Sequence, residues 1–262
     1  LSHQPRKRFG QNFLHDPGVI ARIVTAIGPR PGQHLIEIGP GQGAITCPLL
    51  ETAGKLDVIE LDRDLLEPLA ARCGRLGDLR ILNQDVLQVD FRQFESAEKL
   101  RIVGNLPYNI STPLLFHLLD YSDMIQDMHF LLQKEVVERM AAVPDSHDYG
   151  RLSVTIQLHC HVDPLFDIGP DAFRPAPKVD STFVRLIPHD RPPVEVADQA
   201  RFGALVKQAF AQRRKTLRNN LRGLLDEADI VAAGLDPGQR PQTVTLEQFA
   251  MLAGRLEKKR LN

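Results

Sequence analysis

The sequence predicts an α/β chain: an open, largely parallel sheet with helices between its strands, followed by a smaller helical lobe. Three observations carry this. Short apolar runs at 34–38, 56–60, 79–82 and 101–106 read as buried strands, and stretches of helical spacing lie between them. Each run stops at glycine or at polar residues suited to a ligand, as expected at the carboxyl ends of strands in an open α/β sheet. The charge balance changes along the chain: residues 1–189 carry a net −5 and residues 190–262 a net +4.

The division is therefore read as 1–189 and 190–262, with the proline-rich 188–193 as linker. A basic tail behind an acidic enzyme-like domain suggests a polyanion engaged locally, not the global basicity of a sequence-independent DNA coater. With 43% hydrophobic and 25% charged residues, the chain has the composition of a soluble globular protein. No apolar run approaches the roughly 18 residues that span a bilayer, and no secretory signal is read at the N-terminus, so a cytoplasmic protein is expected. Cys47, Cys73 and Cys160 lack metal-ligand spacing and are read as reduced thiols; no metal is expected.

In chain order, Arg6, Lys7 and Arg8 open a basic segment that reads equally as a disordered arm or an RNA strap. Asp16-Pro17 is a capped helix start, and Val19, Ile20, Ile23, Val24 and Ile27 follow at helical spacing until Pro29 and Pro31. His34-Leu35-Ile36-Glu37-Ile38 is a buried strand running into Gly39-Pro40-Gly41-Gln42-Gly43. Glycines at a strand-to-helix turn let backbone approach a cofactor beside a helix N-terminus. The next strand ends at Glu60, where a carboxylate would accept from ribose hydroxyls. A third ends in Asn83-Gln84-Asp85, and Asp85 is placed to accept from an adenine amine.

The fourth strand ends in Asn105-Leu106-Pro107-Tyr108. Pro107 fixes its own φ and biases Leu106 to an extended conformation. The Asn105 side-chain oxygen and a carbonyl of this loop suit the two hydrogens of a flat exocyclic amine, and Tyr108 suits the ring that carries it. An adenine amine is a poor nucleophile because its lone pair is delocalised. Acceptors that favour a pyramidal nitrogen free that pair to attack a methyl sulfonium, with positioning and fixed dipoles supplying most of the acceleration.

These segments resemble the small-subunit (16S) ribosomal RNA adenine dimethyltransferases, the KsgA-type family. The matching blocks are Lys7 through Leu14, Glu37-Ile38-Gly39-Pro40-Gly41, Val58-Ile59-Glu60-Leu61-Asp62-Arg63-Asp64 and Asn105 through Pro113; the likeness continues through Ala209 to Asn219. It implies a Rossmann-like S-adenosylmethionine-dependent methyltransferase sheet of seven strands with a small all-α C-terminal domain. S-adenosyl-L-methionine is then the methyl donor, lined by Asn12 and Leu14. Gly39 lies under its amino-acid portion, Glu60 holds its ribose and Asp85 its adenine amine. Asn105 stands between donor and target base, and Phe173, in the proline-stiffened loop after Ala172, stacks on that base opposite Tyr108. The implied reaction is dimethylation of the N(6) amines of two adjacent adenines in the 3′-terminal hairpin of small-subunit rRNA, within a pre-30S particle, by a monomer.

Further along, Val154, Ile156, Leu158, Cys160 and Val162 alternate like a strand, whereas the resemblance implies a helix; the helix is preferred, and Pro164 is expected to stop the segment. Residues 200–223 read as a helical stretch with seven positive charges and no acid, which favours phosphate contacts by Arg213, Arg214, Lys215 and Arg218. Gly234 through Pro237 and Thr245 through Phe249 suggest two more short helices. Rival readings are the erythromycin-resistance methylases of large-subunit rRNA, DNA or protein amino-methylases with related Asn-Pro-Pro-Tyr loops, and a non-catalytic assembly factor that only binds RNA.

Overall fold

The computed structural model of the chain describes residues 11–258. The basic segment at Arg6, Lys7 and Arg8 lies outside the described residues. Two compact units are present. One comprises the described residues to Val137 together with Asp163–Pro188; the other comprises Glu138–Val162 and the described residues from His189 onward. A boundary at 189/190 places Glu138–Val162 with the first domain, but in the structure Ala142, Tyr149, Val154 and Leu158 share the core of the second.

The first unit begins with β1 (Phe13–Leu14) and α1 (Pro17–Ile27). The Asp16 carboxylate accepts the Val19 N–H at 2.9 Å, and Gly28 at φ 56° closes the helix in the left-handed region. Then follow β2 (His34–Ile38), α2 (Thr46–Ala53), β3 (Lys55–Ile59), α3 (Leu66–Cys73), β4 (Asp78–Leu82), β5 (Leu100–Asn105), α4 (Ser111–Leu119), β6 (Ile125–Gln133) and α5 (Lys134–Ala141). After α6 (Arg151–His159), which belongs to the second unit, come β7 (Cys160–Ile168), β8 (Phe173–Arg174) and β9 (Ser181–Pro188). Among the described residues one sheet has seven strands in the order β4-β3-β2-β5-β6-β9-β7, and β1 and β8 form a separate antiparallel pair.

Strands β4, β3, β2, β5 and β6 run parallel, and β9 is antiparallel to β6. Strand order reverses between β2 and β5, where a crevice opens at the carboxyl ends. These two strands approach closely at that point: a Cβ on Gly104 would stand 2.7 Å from the Ile38 carbonyl oxygen. The ladder also runs past the strand ends, with Gly39 N–H donating to Ile59 O (2.9 Å), Glu60 N–H to Leu82 O (3.0 Å) and Leu106 N–H to Leu131 O (3.3 Å). Leu35, Ile36, Val58, Ile102 and Val103 are buried beneath, each such side chain contributing about 1.5–3 kcal/mol relative to exposure.

Several expectations are corrected. Cys47 and Cys73 are joined by a disulfide between α2 and α3, with Cα atoms 4.9 Å apart, and only Cys160 is a free, buried thiol. Sequence spacing carries no information about two neighbouring helices meeting at these positions. Pro164 does not stop a segment; it lies inside β7, an edge strand, where a missing N–H is tolerated. Of the alternating residues, Val154, Ile156 and Leu158 lie in α6, a helix buried on two faces, whereas Cys160 and Val162 lie in β7, so the preferred helix holds only as far as His159. Each i, i+4 pair shares a face, and an offset of two residues reaches the opposite one, so two-sided burial imitates a strand.

In the second unit, residues 200–223 are not one helix. Helix α7 (Gln199–Ala209) stops, a turn intervenes, and α8 (Leu217–Asn220) is a single turn. The buried Asn220 amide donates to the carbonyls of Gln212 (3.1 Å) and Lys215 (3.2 Å), fixing that turn. Helix α9 (Glu227–Ala232) precedes Gly234, which is a left-handed helix terminator at φ +79° rather than a helical residue; Leu235 N–H bonds back to Ile230 O at 3.2 Å. Helix α10 (Leu246–Lys258) is longer than expected, and Phe249, Leu252 and Ala253 enter this unit's core. Among the described residues no helix is long and apolar enough to cross a membrane, and no cluster of metal-binding side chains is present.

Candidate active site

A cavity of about 320 Å³ opens at the carboxyl ends of β2, β3 and β5 and beside the segment after β4. Asn12, Leu14, Gly39 and Gly41 line it on the side of β1 and the glycine-rich turn. Glu60 and Asp85 line it from the ends of β3 and β4, and Asn105, Leu106, Pro107 and Tyr108 from the end of β5. The volume is within the range of small-molecule and cofactor sites.

The turn that cradles the cavity is conformationally demanding. Gly39, Gly41 and Gly43 have φ of 68°, 55° and 80°, values that disfavour side chains with a Cβ. At Gly43 a Cβ would also meet Cys73 Sγ at 2.9 Å. Arg72, next to that disulfide, donates to the Gln42 carbonyl at 2.7 Å, so the end of α3 braces the turn twice.

Glu60 is buried, with Oε1 accepting from Asp62 N–H (2.8 Å) and Oε2 from Gly41 N–H (3.2 Å). Burial raises its pKa above the ordinary carboxylate value, and these N–H donors oppose the shift. Asp85 caps the turn after β4 through Oδ1, which accepts the Leu87 N–H at 3.0 Å. Val86, Leu87 and Ile59 supply apolar lining beside it.

Asn105 is oriented by the chain itself: its Nδ2 donates to the Asn12 carbonyl oxygen at 2.9 Å. That bond commits the amide nitrogen and leaves Oδ1 as the acceptor to offer a ligand. The loop beyond is braced, with Ile110 N–H donating to Pro107 O (3.1 Å) and the Ser111 hydroxyl to Tyr108 O (3.1 Å). Tyr108 is half-buried, and its hydroxyl pairs with the Ser181 hydroxyl at 2.9 Å. Burial raises the phenol pKa, keeping it neutral near pH 7.

Two expectations about site residues need correction. Phe173 does not line the cavity: it is 3% exposed, pairs with Leu14 across β1 and β8, and belongs to the hydrophobic core with Leu14, Ala172 and Phe183. The two-ring clamp with Tyr108 is not assembled in this structure, because strand pairing and apolar burial claim the Phe173 ring. Arg213 is not a free cation, since its guanidinium donates to the carbonyls of His147 and of Tyr149, the latter at 3.3 Å. The acid-free sequence around Arg218 is not acid-free in space, as Glu227 stands 3.5 Å away. Arg214 and Lys215 are exposed on the turn before α8.

One lining residue was passed over in the sequence. Glu37 is 1% exposed and its Oε2 has no hydrogen-bond partner. Burial, with the nearby Glu60 charge adding to it, pushes its pKa up to about 8. The available signal was an acid within a fully buried central strand, two residues before the glycine-rich turn begins at Gly39.

A seven-stranded sheet of this order, with its cavity at the carboxyl ends of the central strands, has the α/β methyltransferase fold. The model of the ribosomal RNA adenine dimethylase family matches residues 2–258, and the chain belongs to that family. It is similar to "Ribosomal RNA small subunit methyltransferase A" from Chromohalobacter salexigens, at 56% identity over 96% of this chain and 91% of the relative. The protein of the same description from Pseudomonas aeruginosa is also 56% identical, over 97% and 95%. Among solved structures, a dimethyladenosine transferase from Plasmodium falciparum superposes with TM-score 0.79 at 25% identity, covering 95% of this chain and 98% of that one. The 23S rRNA methyltransferase ErmE gives TM-score 0.71 at 27% identity, covering 94% and 100%. The chain is an rRNA adenine dimethyltransferase, and S-adenosyl-L-methionine is its methyl donor.

Proposed function

We propose that the cavity at the ends of β2–β5 is where this enzyme dimethylates adenine N(6) in small-subunit rRNA, and that the Asn105 amide is its central element. The orientation of that amide carries the reading: with Nδ2 held by Asn12 O, Oδ1 faces a ligand as an acceptor. Relatives at 54–56% identity named for the small ribosomal subunit support the substrate, against 27% for a methylase named for 23S rRNA.

The residues fit the donor. The unpartnered Glu37 Oε2 suits the ammonium of its amino-acid portion, over the Gly39 and Gly41 backbone, with Asn12 and Leu14 closing that side. Glu60 retains lone pairs for ribose hydroxyls, and Asp85 Oδ2 for an adenine amine. When bound, the donor supplies a methyl group on a sulfonium.

The chain's own part in the reaction is binding and orientation. Asn105 Oδ1 and the Leu106 carbonyl accept the two N–H groups of the target amine, drawing its nitrogen out of conjugation with the ring. Tyr108 stacks on the base, an interaction worth about 1–3 kcal/mol that offsets much of the cost of extrusion. No strong base is required, because an N(6)-alkylated ammonium loses its proton readily to water. In the second unit Arg214, Lys215 and Arg218 contact phosphates, while Arg213 holds the 147–149 loop. The finer target is the pair of adjacent adenines in the 3′-terminal hairpin, within a pre-30S particle in the cytoplasm, with the enzyme acting as a monomer. Tritiated methyl transfer to unmethylated small subunits, compared with large subunits, tests this; label on large subunits alone would overturn it.

A further inference from the structure

We propose that Ser181 is a positioning residue for the methyl-accepting base: its buried hydroxyl fixes the direction in which Tyr108 projects its ring. This rests on the reading of Tyr108 as the stacking ring. Ser181 is 0% exposed and is the first residue of β9, paired in register with Gln133 at the end of β6. The preceding Asp180 carbonyl accepts the Lys134 N–H at 3.0 Å, so the backbone around Ser181 is tied on both sides.

The Tyr108 backbone is equally fixed. Pro107 precedes it with a locked φ, and its carbonyl accepts from Ser111 at the start of α4. The freedom left is rotation of the side chain; the 2.9 Å bond between the phenol oxygen and Ser181 Oγ holds its swing about Cα–Cβ, while spin about the ring's own axis leaves that bond intact. A ring anchored at Cα and at its hydroxyl has one place to occupy. For stacking area alone a phenylalanine would serve as well as a tyrosine; the hydroxyl pair is what a tyrosine adds here.

The chemistry says when that matters most. In the first transfer an unmodified amine offers two N–H groups to Asn105 Oδ1 and the Leu106 carbonyl. In the second, the monomethylated amine offers one, so its orientation depends more on the ring beneath it. Ser181 therefore bears chiefly on the step from monomethyl- to dimethyladenine.

The test uses full-length Ser181→Ala, Tyr108→Phe, their double variant and Tyr108→Ala. Each is assayed on unmethylated small subunits, with digestion and mass spectrometry for mono- and dimethyladenine, and calorimetry with S-adenosylhomocysteine. Loss of one neutral hydrogen bond predicts a second-transfer rate lower by about five-fold in either single variant, with monomethyladenine accumulating. The double variant should match either single one, and the affinity for S-adenosylhomocysteine should be unchanged. Tyr108→Phe keeps the test alive should Ser181→Ala fail to fold. If Tyr108→Ala suppresses transfer while Tyr108→Phe and Ser181→Ala leave the product ratio unaltered, the role of Ser181 is overturned and stacking stands. Additive losses in the double variant would overturn it too. Unimpaired transfer by Tyr108→Ala removes the stacking reading and this inference with it.

Discussion

The glycine-rich side of the cavity and the basic turn before α8 handle charge in opposite ways. On the first, two carboxylates are buried: Glu60 is held by backbone N–H groups, and Glu37 is left with one oxygen unpaired. The turn at Gly41–Gly43 is braced by Arg72 and abuts the Cys47–Cys73 disulfide. On the second, Arg214 and Lys215 stand in solvent, and the fixed cation, Arg213, is engaged by carbonyl oxygens. The glycine-rich side is pre-organised by burial, which suits a ligand of constant shape. The basic turn offers long, solvated cations, which suits an RNA whose phosphates vary in position.

The contrast breaks most sharply at Glu37. Its pKa near 8 against an ordinary 4.5 means the folded chain binds this proton more readily than the unfolded chain. The stability it contributes is therefore full below pH 4.5 and is lost as pH rises through about 8. Wild-type unfolding free energy should fall across that window relative to Glu37→Gln, by an amount on the order of a few kcal/mol. Parallel curves for the two proteins would show that Glu37 is not held protonated by burial.

The disulfide comes next. Thiol labelling of unreduced, denatured protein should find Cys160 alone, and Cys73→Ser should lower stability by about 2–4 kcal/mol. Three labelled thiols would remove the brace. Glu60→Ala should weaken cofactor binding by about 1.5–3 kcal/mol in calorimetry, as expected for hydrogen bonds to a charged group; an unaltered affinity would contradict its ribose role. The smallest effects belong to the basic turn. Replacing Arg214 and Lys215 by Ala should lower the salt slope of RNA binding by about 0.7 per phosphate contact if the RNA is single-stranded. Arg213→Ala should instead lower thermal stability with little change in slope, and the opposite pattern would exchange the two roles.

What the sequence revealed follows the same divide. Strand ends are legible because a buried strand reads as an apolar run and its ligand residues interrupt it, so Gly39, Glu60, Asp85 and Asn105 could be picked out and do come together around one cavity. Asp16-Pro17 was legible because a cap is a local event. The meeting of Cys47 with Cys73 was not, since it depends on how two helices pack. Nor was the burial of Phe173, where pairing with Leu14 across more than 150 residues decides the ring's place. The alternation from Val154 to Val162 was legible only in part, because a helix covered on both faces gives the same pattern up to Leu158 as the strand that begins at Cys160. Arg213 looked like its neighbours because nothing local marks a guanidinium engaged by a distant loop.

The central claim is that the Asn105 amide, oriented by Asn12, acts on the target amine and not on donor binding. Single-turnover methyl transfer by Asn105→Ala on unmethylated small subunits, with S-adenosylhomocysteine affinity measured on the same preparation, addresses it directly. The expected result is a rate lower by about 10²–10³-fold, the cost of removing one preorganised polar group, with affinity nearly intact. A near wild-type rate, or a loss explained wholly by weaker donor binding, would contradict it.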